Sequence, residues 1–207
     1  MKQMSYVDTC AALEQQVIPL SVEEVIQHSF MNYHVKGFHY LNVRRSANLT
    51  MKLYFFEGDV ATLPEVVAPH DHRYDFRTTV VRGVVENRLY EVPERQRMAR
   101  KRCLFQKFAY RTPLNGGSGF TWVGEEYLTP FCDARYAAGQ SYIMGAEQLH
   151  TIQIIEPGTV LRLDQYADRV PVGLPTTTYT LNREPPSLSG LYRKPTPDEV
   201  LRLLGSL

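Results

Sequence analysis

From Asn48 onward the chain breaks into short runs rich in β-branched and aromatic residues, each closed by a glycine or a polar turn. That rhythm restricts the fold more than any other feature, because many short strands with turn signals between them close into a barrel or a sandwich. "NLTMKLYFFEG" predicts a strand ending at Gly58, and "TTVVRGVVENRLYEV" predicts a strand, a turn near Glu86 and Asn87, and a returning strand. "RCLFQKFAYR" alternates, "NGGSGF" is a glycine-rich turn and "GFTWVGEEYL" follows it as a strand. "GQSYIMG", "HTIQII" and "TVLRLDQY" complete the set. The expected class is all-β.

The flanks read differently. "SVEEVIQHSF" opens with a capping box, Ser21 to Glu24, and places Val22, Val25, Ile26 and Phe30 on one helical face. An earlier helix over Cys10 to Ile18 is expected to stop at Pro19. The Pro-rich tail ends in a short helix with Thr196 as cap, Pro197 in the first turn and Glu199 closing a second capping box. One domain is expected over 1–207: a helical lead-in over 1–40, a β-barrel core over 41–170, and an extended tail with a C-terminal helix over 171–207.

Charge and composition narrow the partners. The 23 basic and 22 acidic side chains leave a net charge of +1, which gives no reason to expect nucleic acid or membrane as partner. No run of about 18 apolar residues exists and the N-terminus lacks an apolar secretory core, so a cytoplasmic protein is expected, as monomer or homodimer. Cys10, Cys103 and Cys132 are odd in number and widely spaced, which suits reduced thiols. The five basic residues from Arg95 to Arg102 read as a solvated hairpin loop, "NGGSG" lacks the Lys-Ser/Thr of a phosphate loop, and His28, His34 and His39 are assigned surface or capping roles.

The chemistry-bearing stretch is "APHDHRYDFRTTVVRGVV". On a strand His70 and His72 point to the same face and can meet one ion from neighbouring positions. His150, in "GQSYIMGAEQLHTIQII", supplies a third imidazole after a tight turn. Together these segments resemble the two motifs of the cupin superfamily. "HDHRYDFRTTVVRG" follows the spacing H-x-H-x3-E-x6-G, with Phe76 in the glutamate slot and Gly83 last; Gly139, Gly145, Glu147 and His150 follow the second motif's spacing, with Gly145 in its proline slot and Glu147 in its glycine slot. The resemblance implies a cupin, or double-stranded β-helix (jelly-roll), barrel with N-terminal helices and a short C-terminal helix. It also implies a metal held inside by His70, His72 and His150.

Three histidines without a motif carboxylate resemble the cysteine-dioxygenase-like, or thiol dioxygenase, branch. That likeness assigns Arg44 or Arg45, in "HYLNVRRSANLT", to a substrate carboxylate, which a guanidinium binds in a bidentate fork. It places Tyr166 of "RLDQY" in a tyrosine slot beside the reacting groups, with Asp164 where the family has histidine. Tyr74 shares the inward face with the histidines and is a second candidate hydroxyl. Glu147 is a candidate fourth ligand, against a solvent-facing role. Arg77 occupies the position of the crosslinking cysteine and rules out that crosslink there.

The resemblance therefore implies an oxidoreductase, a mononuclear non-heme dioxygenase with Fe(II) as first choice and Mn, Ni, Cu or Zn as alternatives. It would use O2 to oxidise a small thiol- or amino-acid-like carboxylate. Two further readings stay open: a non-catalytic ligand-binding cupin, and a metal-dependent isomerase or lyase without a redox step.

Overall fold

The computed structural model describes residues 18–33, 35–58, 68–93, 102–171, 173–185 and 187–207. The helix expected over Cys10 to Ile18 ends at the first of them, and its body, with His34 and the basic run up to Lys101, lies outside them.

The element order is β1 (Ile18–Pro19), α1 (Val22–His28), β2 (Phe38–Arg45), β3 (Leu49–Phe56), β4 (Tyr74–Arg82), β5 (Val84–Glu91), β6 (Cys103–Arg111), β7 (Gly119–Ala137), β8 (Ser141–Met144), β9 (Leu149–Ile154), β10 (Val160–Asp168), β11 (Thr176–Thr180) and α2 (Pro197–Leu204). Among the described residues the strands form a six-stranded sheet, β1-β2-β3-β10-β4-β8, and a five-stranded sheet, β11-β6-β7-β5-β9, with antiparallel pairing throughout. Just ahead of β4, His70 bridges both edge strands of the five-stranded sheet, at His150 of β9 and Thr178 of β11. The all-β jelly-roll barrel expected from the sequence is present.

Both capping boxes form. Glu24 N–H donates to Ser21 Oγ at 3.3 Å while Ser21 N–H donates to Glu24 Oε2 at 2.8 Å. Thr196 and Glu199 repeat the pattern at 3.3 and 2.8 Å. Each box satisfies two helix-end donors reciprocally. The helices then bury Val25, Val200 and Leu203 against Leu41, Leu53 and Phe55 on the outer face of the six-stranded sheet. Burying each such side chain contributes about 1.5–3 kcal/mol. The opposite face carries Phe76, Val80, Leu161 and Leu163 into the barrel interior.

Several sequence expectations are corrected. The chain does not turn at Glu86 and Asn87. It turns at Gly83, with φ +81°, where an added Cβ would stand 2.2 Å from Thr159 Oγ1 and 2.9 Å from Thr159 Cα. This corner carries the chain from one sheet to the other, and Glu86 and Asn87 lie inside β5. The first third holds β2 as well as a helix, and β7 runs on to Ala137. The Thr-rich segment Thr176–Thr180, between proline-containing stretches, is a strand rather than extended tail, because β-branched residues suit the pleat even without hydrophobic alternation. His39 is not a surface residue: it is buried, with Nδ1 accepting Asn32 N–H at 3.0 Å and Nε2 3.1 Å from Glu57 Oε2. None of the described helices is long and apolar enough to cross a membrane.

Candidate metal centre

His70 and His72 lie just ahead of β4, in an extended segment tied down by backbone bonds rather than inside the strand itself. His70 N–H donates to His150 O at 2.9 Å and His150 N–H returns a bond to His70 O at 3.0 Å; His72 N–H donates to Ala146 O at 2.9 Å. Asp75 faces away from the histidines, as its parity predicts. Its Oδ1 accepts Ala146 N–H at 2.8 Å and its Oδ2 accepts Arg169 Nη1 at 2.6 Å, so it holds the turn that delivers His150.

The three imidazoles offer donor atoms that all lie within 4.8 Å of one another. His72 Nε2 and His150 Nε2 stand 2.9 Å apart. Two nitrogens held ~2.1 Å from one ion at right angles would stand ~3.0 Å apart, so this pair already has the spacing of adjacent ligands. The other ring nitrogens are engaged. His150 Nδ1 lies 2.6 Å from Asn87 Oδ1, and His70 Nδ1 lies 3.0 Å from Ala68 O. An acceptor at Nδ1 fixes the proton there and leaves Nε2 as a lone pair. Burial pushes the pKa of His150 well down, with His70 adding to the shift; burial also lowers His70, against the opposing Ala68 carbonyl. Both rings are thereby kept neutral, the state that ligates. The residues present fit a single first-row ion.

Phe76 fills the slot of the absent carboxylate. Fully buried, its ring centroid lies 4.7 Å from that of His72 and 5.7 Å from that of His150. The group of converging donors among the described residues contains no Asp, Glu or Cys.

Other expected site residues lie elsewhere. Glu147 is exposed and borders a separate recess with Leu89, Tyr90 and Leu149. Arg44 and Arg45 are exposed at the end of β2, outside the cavity wall, and Arg45 Nη1 sits 3.3 Å from His28 Nδ1. Tyr166 shares the parity of Arg162 and Asp164, opposite to the Leu161 and Leu163 that line the cavity, and pairs with Leu49 on the outer layer. Asp164, fully buried, takes Arg77 Nη2 and Arg162 Nε at 2.9 Å each, so the Arg77–Asp164 pair is structural. Tyr74 does line the cavity, its ring 5.7 Å from His72.

The cavity beside the histidines has a volume of about 320 Å³. Two arginines border it. Arg73 is committed to structure: Nε donates to Asp168 Oδ2 at 3.3 Å, Nη1 to Leu174 O at 2.7 Å, and Nη2 to Val170 O and Pro171 O at 2.7 and 2.6 Å. Arg111, exposed at the end of β6, makes no side-chain hydrogen bond or ion pair with any described residue. Sequence reasoning missed Asn87, Arg111 and Lys52. By alternation Lys52 faces inward with Tyr54 and Phe56. It is only 7% exposed, and its Nζ lies 4.9 Å from the Tyr40 ring centroid and 5.5 Å from that of Tyr74.

No family model matches the sequence, and no curated protein matches it. Among solved structures the chain is similar in shape to KdgF from Halomonas sp., at 17% identity and a TM-score of 0.39 over 68% of this chain and 90% of that one. It is also similar to hydroxypropylphosphonic acid epoxidase from S. wedmorenis, at 11% identity and 0.42, covering 74% of this chain and 60% of that one. An RmlC-like cupin from Shewanella frigidimarina superposes at 11% identity and 0.37 over 69% and 88%. Likenesses of this size say nothing about activity.

Proposed function

We propose that the chain is a mononuclear non-heme metal oxygenase of the cysteine-dioxygenase-like kind, with Fe(II) as its metal and with O2 and an organic carboxylate as its substrates. The supporting observation is the convergence of three imidazoles, with no carboxylate among them, on the wall of a cavity. His70, His72 and His150 would hold the ion. When bound, such a centre supplies open coordination positions and a redox partner for O2.

The chain's own residues prepare that site. Asn87 keeps His150 in the tautomer that exposes Nε2. Phe76 and its neighbours exclude water from one side of the cluster and so raise the strength of every charge interaction there. Tyr74 brings the only hydroxyl of the two expected catalytic tyrosines to the cavity wall. Arg111 offers a guanidinium fork to a carboxylate, in place of Arg44 and Arg45. Free thiols at Cys103 and Cys132 suit a reducing compartment, the cytoplasm.

Metal analysis of freshly purified protein, followed by oxygen uptake with small thiols, amino acids and other carboxylates, tests the proposal. His72→Ala and His150→Ala should each lose the metal and the uptake. Stoichiometric metal in both variants would overturn the site. Turnover with zinc in the absence of oxygen would overturn the redox step.

A further inference from the structure

The cavity is larger and more apolar than a three-carbon thiol acid requires. At about 320 Å³ it falls at the lower end of drug-sized pockets, whereas a cysteine-sized molecule would leave much of the space to water lying against aromatic rings. Its wall beyond the histidines is aromatic: Tyr33, Phe38, Tyr54, Phe56, Phe120 and Tyr142 all contribute. The rings are arranged in offset and edge-on contacts, with Phe38 stacked on Phe56 at 5.0 Å and edge-on to Tyr54 at 4.9 Å. A flat ring entering such a wall continues the same packing, which the quadrupoles of aromatic pairs favour.

The wall carries four acidic or basic side chains besides the histidines, Asp71, Arg73, Arg111 and Asp168, and three of them are already engaged. Asp168 is held by Arg73. Asp71 Oδ1 accepts Thr177 N–H at 2.6 Å. The donors of Arg73 go to Asp168 and to backbone carbonyls. Arg111 is the one bordering cation without such a commitment among the described residues. It lies at the end of β6 next to Tyr110, whose register partner is Thr176, while Thr178 further along β11 bridges to His70. A ligand lying along the cavity can therefore meet the histidine cluster and an aromatic wall, with Arg111, which alternates with Tyr110 and sits exposed at the strand end, at the rim.

We propose that the substrate of this centre is an aromatic carboxylate of about two-ring size, its rings against the aromatic wall and its carboxylate at Arg111. The proposal rests on the cavity being the substrate site of the histidine centre, but its test does not need the metal.

The full chain, stripped of metal, is titrated with 2-naphthoate, 2-naphthol and L-cysteine, with affinity read by calorimetry and binding confirmed by the shift in Tm. 2-Naphthoate should bind and raise Tm, and L-cysteine at the same concentration should do neither. Ile152→Trp, which adds a ring to a residue already in the wall, should weaken 2-naphthoate by at least about tenfold by occupying its space. Arg111→Ala, at an exposed position that does not endanger folding, should weaken 2-naphthoate by about tenfold and leave 2-naphthol unchanged. No binding of 2-naphthoate to the parent protein, equal or tighter binding of L-cysteine, or an Arg111→Ala variant that binds 2-naphthoate as the parent does would each overturn the proposal. Any of these results leaves metal loss in His72→Ala untouched, and metal retention in that variant leaves 2-naphthoate binding untouched.

Discussion

Asn87 Oδ1 lies 2.6 Å from His150 Nδ1, and this contact decides which nitrogen of His150 faces the other two histidines. Asn87 is buried, and its Nδ2 points at Met144 Sδ, 3.6 Å away, which leaves Oδ1 as the atom turned to the ring. Asn87→Leu removes the acceptor and frees His150 to carry its proton on either nitrogen. Metal affinity should fall by about 10–100-fold. Competition against a chelator measures it, and an unchanged affinity would show that the tautomer is set by something else.

The same residue shows how much of the molecule could be read from its sequence. The three histidines were legible because the two segments that carry them resemble the cupin motifs, and in the structure they do converge. Asn87 was not, since Glu86-Asn87 between two apolar runs reads as a turn; the bend falls at Gly83, and β5 runs through Asn87. Lys52 was hidden for a related reason. Nearly every position of β3 is buried, so alternation carried no polarity that could mark its one charge as inward-facing. Tyr166 matched a spacing but sits on the face of β10 turned from the cavity, because register on a strand has period two. Arg111 carries no local signal at all: only the folding of β6 against β11 brings it to the cavity.

Phe76→Glu would restore a carboxylate to the position beside His72, where the phenyl ring now lies 4.7 Å from the imidazole. Metal affinity should rise, because an anionic oxygen joins three neutral nitrogens. Without metal the variant should lose about 3–5 kcal/mol, the cost of removing a buried aromatic ring and placing an acid in its space. Chelator competition and denaturation of the metal-free protein read the two effects, which should be opposite in sign.

Gly83→Ala tests the corner between the sheets. The residue has φ +81°, and the new methyl would meet Thr159, whose Oγ1 also accepts Val84 N–H at 3.2 Å. Both the backbone conformation and the close approach oppose a side chain. The expected loss is about 2–3 kcal/mol in urea unfolding, with an unchanged m-value. A variant as stable as the parent would mean that the corner relaxes at no cost.

Lys52 makes stability depend on pH in a definite direction. Burial pushes its pKa from the ordinary 10.5 down to about 8, with Asp168 opposing the shift and Arg45 adding to it. The folded chain therefore releases this proton near pH 8, while the unfolded chain keeps it to about pH 10.5. Between those values the unfolded state binds more protons, so this group's contribution to stability rises with pH. Below pH 8 the buried charge exerts its full penalty, of about 3 kcal/mol. The faces of Tyr40 and Tyr74 return about 1 kcal/mol of that through cation–π attraction. Lys52→Met keeps the length of the side chain without its charge. It should be more stable than the parent at pH 7 by about 2 kcal/mol, and the advantage should shrink steadily from pH 8 to pH 10.5. Urea midpoints of both proteins across that range measure the difference directly, with the other titrating groups common to both. A methionine variant less stable than the parent at pH 7 would mean that the ammonium is held by more than the two rings.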